Sequence, residues 1–74
     1  MNAKMVYDLK FYIRETNTKI IVENVKIEEE VYNYLLDKLE TNRFITIINE
    51  NQDPITINVG DIHRIETTIE IQEI

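Results

Sequence analysis

EEEVYNYLLDKLE, Glu28 to Glu40, is where the chain changes its rhythm, and the change decides the fold. Ile27, Val31, Leu35 and Leu39 recur at every fourth position, and Tyr32 and Leu36 widen the stripe. Apolar residues at that spacing share one side of an α-helix, and that side needs a partner surface. Glu28, Glu29 and Glu30 fall in the first turn, where the positive end of the helix dipole favours carboxylates. Lys26 and Ile27 are poor N-caps, so the helix start is set only to within a residue or two. Asn42 supplies the stop.

Outward from the helix, in both directions, the period falls to two. Upstream, Tyr7, Leu9, Phe11 and Ile13 alternate with Asp8, Lys10, Tyr12 and Arg14, the mark of a half-buried strand. Glu15-Thr16-Asn17-Thr18 reads as a turn, and KIIVENV, Lys19 to Val25, reads as a second strand closing a hairpin. Downstream, RFITIIN (Arg43 to Asn49) is a third strand, and Asn49 to Pro54 is a loop. Ile55, Ile57 and Val59 form a fourth strand, which Gly60-Asp61 breaks. Ile65, Thr67, Ile69 and Ile71 alternate with Arg64, Glu66, Thr68, Glu70 and Gln72 in a fifth.

The order β-β-α-β-β-β predicts a single α+β domain over residues 1–74, an antiparallel sheet of about five strands with the amphipathic helix on one face. Tyr7, Leu9, Phe11, Ile13, Ile45, Ile47, Ile55, Ile57 and Val59 are the expected helix-facing set. The opposite parity still carries Val6, Tyr12, Ile21, Val25, Phe44 and Ile48. One helix cannot cover both faces. A short chain with no Cys to staple it often gains stability from a second copy, so a homo-oligomer is expected.

Composition narrows the chemistry. The 74 residues include no Cys, no Ser and no Trp, and only one His, one Gly and one Pro. Two standard nucleophiles are missing, and no Ser–His or Cys–His pair can be built, which points away from an enzyme. No apolar run reaches the ~20 residues of a membrane span, and no signal-peptide pattern opens the chain, so a cytoplasmic protein without membrane contact is expected. The net charge is −6. Met1 to Lys26 hold five basic residues (Lys4, Lys10, Arg14, Lys19, Lys26) against three acidic ones, and the rest of the chain holds three against eleven. Scattered basic residues in an acidic chain disfavour phosphate-backbone binding.

Four constellations invite a functional reading. His63 lies near Asp61 and Glu66, but the spacing matches no metal-ligand pattern, and a turn histidine beside carboxylates is the simpler account. Glu28-Glu29-Glu30 point in different directions on a helix and cannot chelate together. Asn49 to Pro54 lacks the Gly and terminal Glu of a calcium loop. No metal and no cofactor is therefore expected. Tyr12 and Tyr34 are the best candidates for exposed aromatic anchors, and Asp61, Glu66, Glu70 and Glu73 make an acidic run along the last strand. Tyr12, Tyr34, Asp61, His63, Glu66 and Glu70 are thus the candidate partner-binding residues.

VKIEEEVYNYLLDKLETNRFITIIN, followed by ITINVGDIHRIE, resembles small uncharacterised proteins of phages and mobile elements of low-GC Gram-positive bacteria. Those combine a short acidic helix, a strand opening on an aromatic, and a closing I-x-V-x-D-I-x-x-I-E strand. The resemblance covers about Val25 to Glu66 and carries no functional residues over. It implies a context of host takeover, counter-defence or phage regulation. The sequence thus favours a non-enzymatic protein-interaction domain, such as a phage-encoded inhibitor or accessory factor, with a protein target. The alternatives are a nucleic-acid-binding regulator using the basic first hairpin (Lys4, Lys10, Arg14, Lys19), or a binder of a small ligand such as a nucleotide signal between protomers.

Overall fold

The structure, a computed structural model, describes residues 3–73. Five strands and one helix follow in the order β1 (Ala3–Arg14), β2 (Ile20–Glu28), α1 (Glu29–Thr41), β3 (Phe44–Ile48), β4 (Pro54–Asn58) and β5 (Ile62–Glu73), with a 3-10 turn at Val59–Asp61 between the last two. The α+β class and the β-β-α-β-β-β order agree with the sequence reading. The single sheet does not. The strands divide into a three-stranded antiparallel sheet, β2-β1-β5, and a separate antiparallel hairpin, β3-β4.

β1 is central, which explains its strong alternation. It pairs Leu9 with Val25 of β2 on one side and with Thr67 of β5 on the other. Tyr7, Leu9 and Phe11 are buried on its inner face, and Phe11 is 0% exposed. Lys4, Asp8, Lys10, Tyr12 and Arg14 take the opposite parity on the outer face. The turn at Glu15–Lys19 closes with the Glu15 N–H donating to the Lys19 carbonyl at 3.0 Å, and it sets the β1–β2 register. That register corrects one expectation. Val25 and Ile21 stand opposite Leu9 and Ile13, on the core face, and Val25 is buried.

β2 runs into α1 without a loop. Glu28 is the N-cap and makes no side-chain capping bond, as its residue type predicts. At the other end Asn42 caps with extended backbone, and its N–H reaches the Lys38 carbonyl at 2.8 Å. Leu35 is the buried residue of the helix, and Tyr32 stacks flat on Tyr7 with ring centroids 4.0 Å apart. Leu39 packs beside them. Val31, expected in the same column, is 52% exposed. The helix is rolled so that Tyr32, Leu35 and Leu39 meet the sheet and Val31 lies to the side.

The hairpin β3-β4 completes the core from the other side. Ile45, Ile47 and Ile57 are buried, and Ile55, Val59, Ile62 and Ile65 pack against the same cluster. β3 does not join β2. α1 takes the chain from the end of β2 to the start of β3, and both facing edges stay without strand partners among the described residues. No helix among the described residues is long and apolar enough to cross a membrane.

Candidate binding groove

The gap between the two sheets is a groove of about 880 Å³. Three walls enclose it. Val25, Lys26 and Ile27 come from β2, Val31, Tyr34, Leu35 and Lys38 from α1, and every residue of β3 from Phe44 to Ile48. Side chains of a strand alternate between its faces, so consecutive residues share a cavity only where the strand presents its edge. Among the described residues β2 pairs with β1 alone and β3 with β4 alone. Each therefore turns a row of backbone N–H and C=O groups without a strand partner toward the groove, with the Asn24 carbonyl of β2 taken by the Glu50 N–H.

The helix lines it for a simple reason of spacing. Val31, Tyr34 and Lys38 succeed one another by three and four residues, one side of the helix, adjacent to the core stripe. Their exposure is local: Tyr34 is 64% exposed, and the Lys38 ammonium sits 5.1 Å from its ring centroid. Phe44 and Ile48, exposed on β3, add apolar surface. Of the charged lining residues, Lys26 and Lys38 are basic and Glu50 is acidic. In a chain of net charge −6 this is a locally basic site.

One end is stitched shut by Asn49, the buried polar residue of the core region. Its side-chain carbonyl accepts the N–H of Asn51 at 2.9 Å and of Asp53 at 3.0 Å, and its amide donates to Glu23 Oε2 at 3.1 Å. The neighbouring Glu50 N–H donates to the Asn24 carbonyl at 2.9 Å. The same tight loop holds Gln52 at a positive φ of 66°. Sequence reading treats Asn49 as loop punctuation. Its role as a tether between β2 and the hairpin depends on Glu23, twenty-six residues away, and nothing local signals it.

The residues singled out from sequence fall into separate places. Tyr34 belongs to the groove. Tyr12, Glu66 and Glu70 stand on the outer face of the three-stranded sheet, far from it in topology. There Arg64 lies over the Tyr12 ring at 4.2 Å and donates to Glu66 Oε1 at 3.2 Å. Hydrogen bonding from the Tyr12 hydroxyl, then the charges of Arg64 and Lys10, hold the Glu66 carboxyl below its usual range, and the Tyr12 contact holds Arg64 above its own. His63 sits where β5 bulges against β1, with its Nδ1 accepting from Arg14 at 3.2 Å. Asp61 ends the 3-10 turn, whose Gly60 N–H donates to the Asn58 side chain. Tyr7, inside, has its hydroxyl pushed up by burial and then by the carboxylate of Glu29.

No known protein family, curated protein or solved structure matches the chain.

Proposed function

We propose that this is a non-enzymatic protein-interaction domain that receives an extended segment of another protein in the groove between α1, β2 and β3. One observation carries it: two unpaired strand edges face a common apolar cleft. Added strands gain affinity from main-chain hydrogen bonds and specificity from pockets for alternate side chains. The walls offer both, the edges of β2 and β3 for the main chain and Val31, Tyr34, Phe44 and Ile48 for side chains. Lys26 and Lys38 favour a segment that also carries a carboxylate. In the phage and mobile-element setting that the sequence resembles, such a domain serves as an inhibitor or accessory factor.

Binding of nucleic acid by the first hairpin has less support. Lys4 is paired with Glu28 at 2.8 Å and Lys19 with Glu15 at 3.2 Å, while Lys10 stands opposite Glu66. Basic groups already matched by carboxylates release few counterions.

Panning a random-peptide library against the immobilised protein tests the proposal. Selected peptides should alternate apolar and polar residues and include Asp or Glu. Val31→Asp and Phe44→Asp, both at exposed positions, should weaken them more than about tenfold without unfolding the domain. Peptides that bind both variants as well as the wild type would place the interface elsewhere.

A further inference from the structure

β5 carries a further edge without a strand partner among the described residues, and it is divided along its length. Its first half is covered: Ile62 and Ile65 pack against the core beneath the β3-β4 hairpin. Its second half, on the same face, is bare: Ile69 is 52% exposed and Ile71 is 71% exposed. β1 occupies one side of the strand, and the other carries no partner strand among the described residues. An antiparallel pairing of β5 with itself would lay the bare half of each copy beside the covered half of the other.

Charge then selects the alignment. A twofold axis perpendicular to the sheet pairs i with j and j with i, so one residue must face its own copy. Centred on Glu66 or Glu70, a carboxylate meets itself. Centred on Thr68, Glu66 faces Glu70 twice, and like charges directly opposite are destabilising. Centred on Ile65, the overlap ends at Thr68 and leaves Ile69 and Ile71 bare. Centred on Ile69, Arg64 lies beyond the described partner strand and no ion pair forms. Centred on Thr67, Arg64 faces Glu70 in both directions, Ile65 faces Ile69, Glu66 faces Thr68, and no like charges oppose. The overlap then runs from Ile62 to Gln72.

We propose that the protein forms a twofold dimer through β5, with Thr67 facing Thr67 and the sheets joined in the order β2-β1-β5-β5-β1-β2. The acidic residues of the strand act as register selectors. They oppose the alignments centred on Glu66, Thr68 and Glu70, as edge charges oppose pairing in monomers, and leave the Thr67 centre as the long overlap that matches Arg64 with Glu70. The dimer is independent of the groove, which lies beyond the opposite edge of the sheet.

The cysteine-free chain makes the test direct. Residues directly opposite in an antiparallel pair have Cα atoms roughly 4.5–5.5 Å apart, within disulfide range. Among the single variants Thr67→Cys, Thr68→Cys and Ile69→Cys, mild oxidation should give covalent dimer fastest for Thr67→Cys. In sedimentation equilibrium the wild type should dimerise reversibly. Glu70→Lys should raise the dimer dissociation constant more than about tenfold, because an ammonium then stands opposite Arg64 at both ends of the interface. The double exchange Arg64→Glu with Glu70→Arg should recover much of the loss, with circular dichroism showing that each variant is folded. A monomeric wild type at millimolar concentration would overturn the proposal. So would a dimer unmoved by Glu70→Lys, or faster cross-linking through position 68 or 69.

Discussion

The molecule has two kinds of unpaired edge, and they differ in how a partner is chosen. The edges of β2 and β3 are sheltered: α1 walls them, Leu35 floors the gap and Asn49 closes one end. The edge of β5 is open, long and charged on one face, with Arg64, Glu66 and Glu70 in a row. A walled edge admits only what fits between its walls, so shape and main-chain bonding decide. An open edge excludes nothing by shape, so charge pattern must decide. Sheltered and open edges in one small domain allow two associations that do not compete.

The largest expected effect comes from Leu35, one of the buried residues that the core and the groove share. Leu35 is 8% exposed and touches the central sheet. Leu35→Ala should cost about 2–5 kcal/mol, a large share of the total stability of so short a chain. Chemical denaturation measures it. A midpoint unchanged by Leu35→Ala would mean that the helix does not close the groove over a packed floor, and the contrast between sheltered and open edges would go with it.

Asn49→Ala should cost less, about 1–3 kcal/mol, since it removes three hydrogen bonds at a buried position. Its diagnostic effect is local. Amide hydrogen exchange should accelerate in β3, in β4 and at Glu50, while β1 and β5 keep their protection. Uniform acceleration would show that the tether stabilises the whole domain and not the groove end. Glu23→Gln, which keeps an acceptor for the Asn49 amide, should give a smaller change.

These two residues also mark where sequence reading succeeds and fails. Leu35 is legible because a helical period exposes its whole stripe at once, and β1 is legible because both of its neighbours enforce alternation. The division into two sheets is not. Whether β3 joins β2 depends on how far α1 swings the chain, a property of the helix roll and not of any single residue. The same roll moves Val31 out of the core stripe and into the groove wall. Val25 is assignable to either face from sequence, since Ile20, Ile21 and Val22 are all apolar and only the turn at Glu15–Lys19 fixes the register. Of the candidate partner residues, Tyr34, Glu66 and Glu70 are exposed, as sequence suggests, while Tyr12 is half-buried under Arg64, and their separate locations are not legible in the sequence.

The smallest predicted effect isolates the charge network on the open face. Glu66 is held below its usual carboxylate range, near 4.5 when unperturbed, first by hydrogen bonding from Tyr12 and then by Arg64 and Lys10. A carboxyl whose folded value is lowered adds stability above its unfolded value and loses it as pH falls through the folded value. The wild type should therefore lose stability as pH drops from about 4.5 toward the lowered folded value, and Glu66→Gln should have a shallower acid limb over that window. Urea midpoints from about pH 7 to about pH 2.5 measure both. Because the Tyr12 hydrogen bond leads the causes, Tyr12→Phe should flatten the limb more than Lys10→Gln. The reverse order would assign the effect to long-range charge, which added salt would then abolish. In the Thr67-centred dimer Glu66 faces Thr68 and not a charge, whereas Glu70 faces Arg64. The whole acid limb should therefore steepen above the dimer dissociation constant through Glu70, while the difference between wild type and Glu66→Gln stays the same below and above it. A difference that grows with concentration would bring another charged group of the second copy against Glu66 and exclude that register.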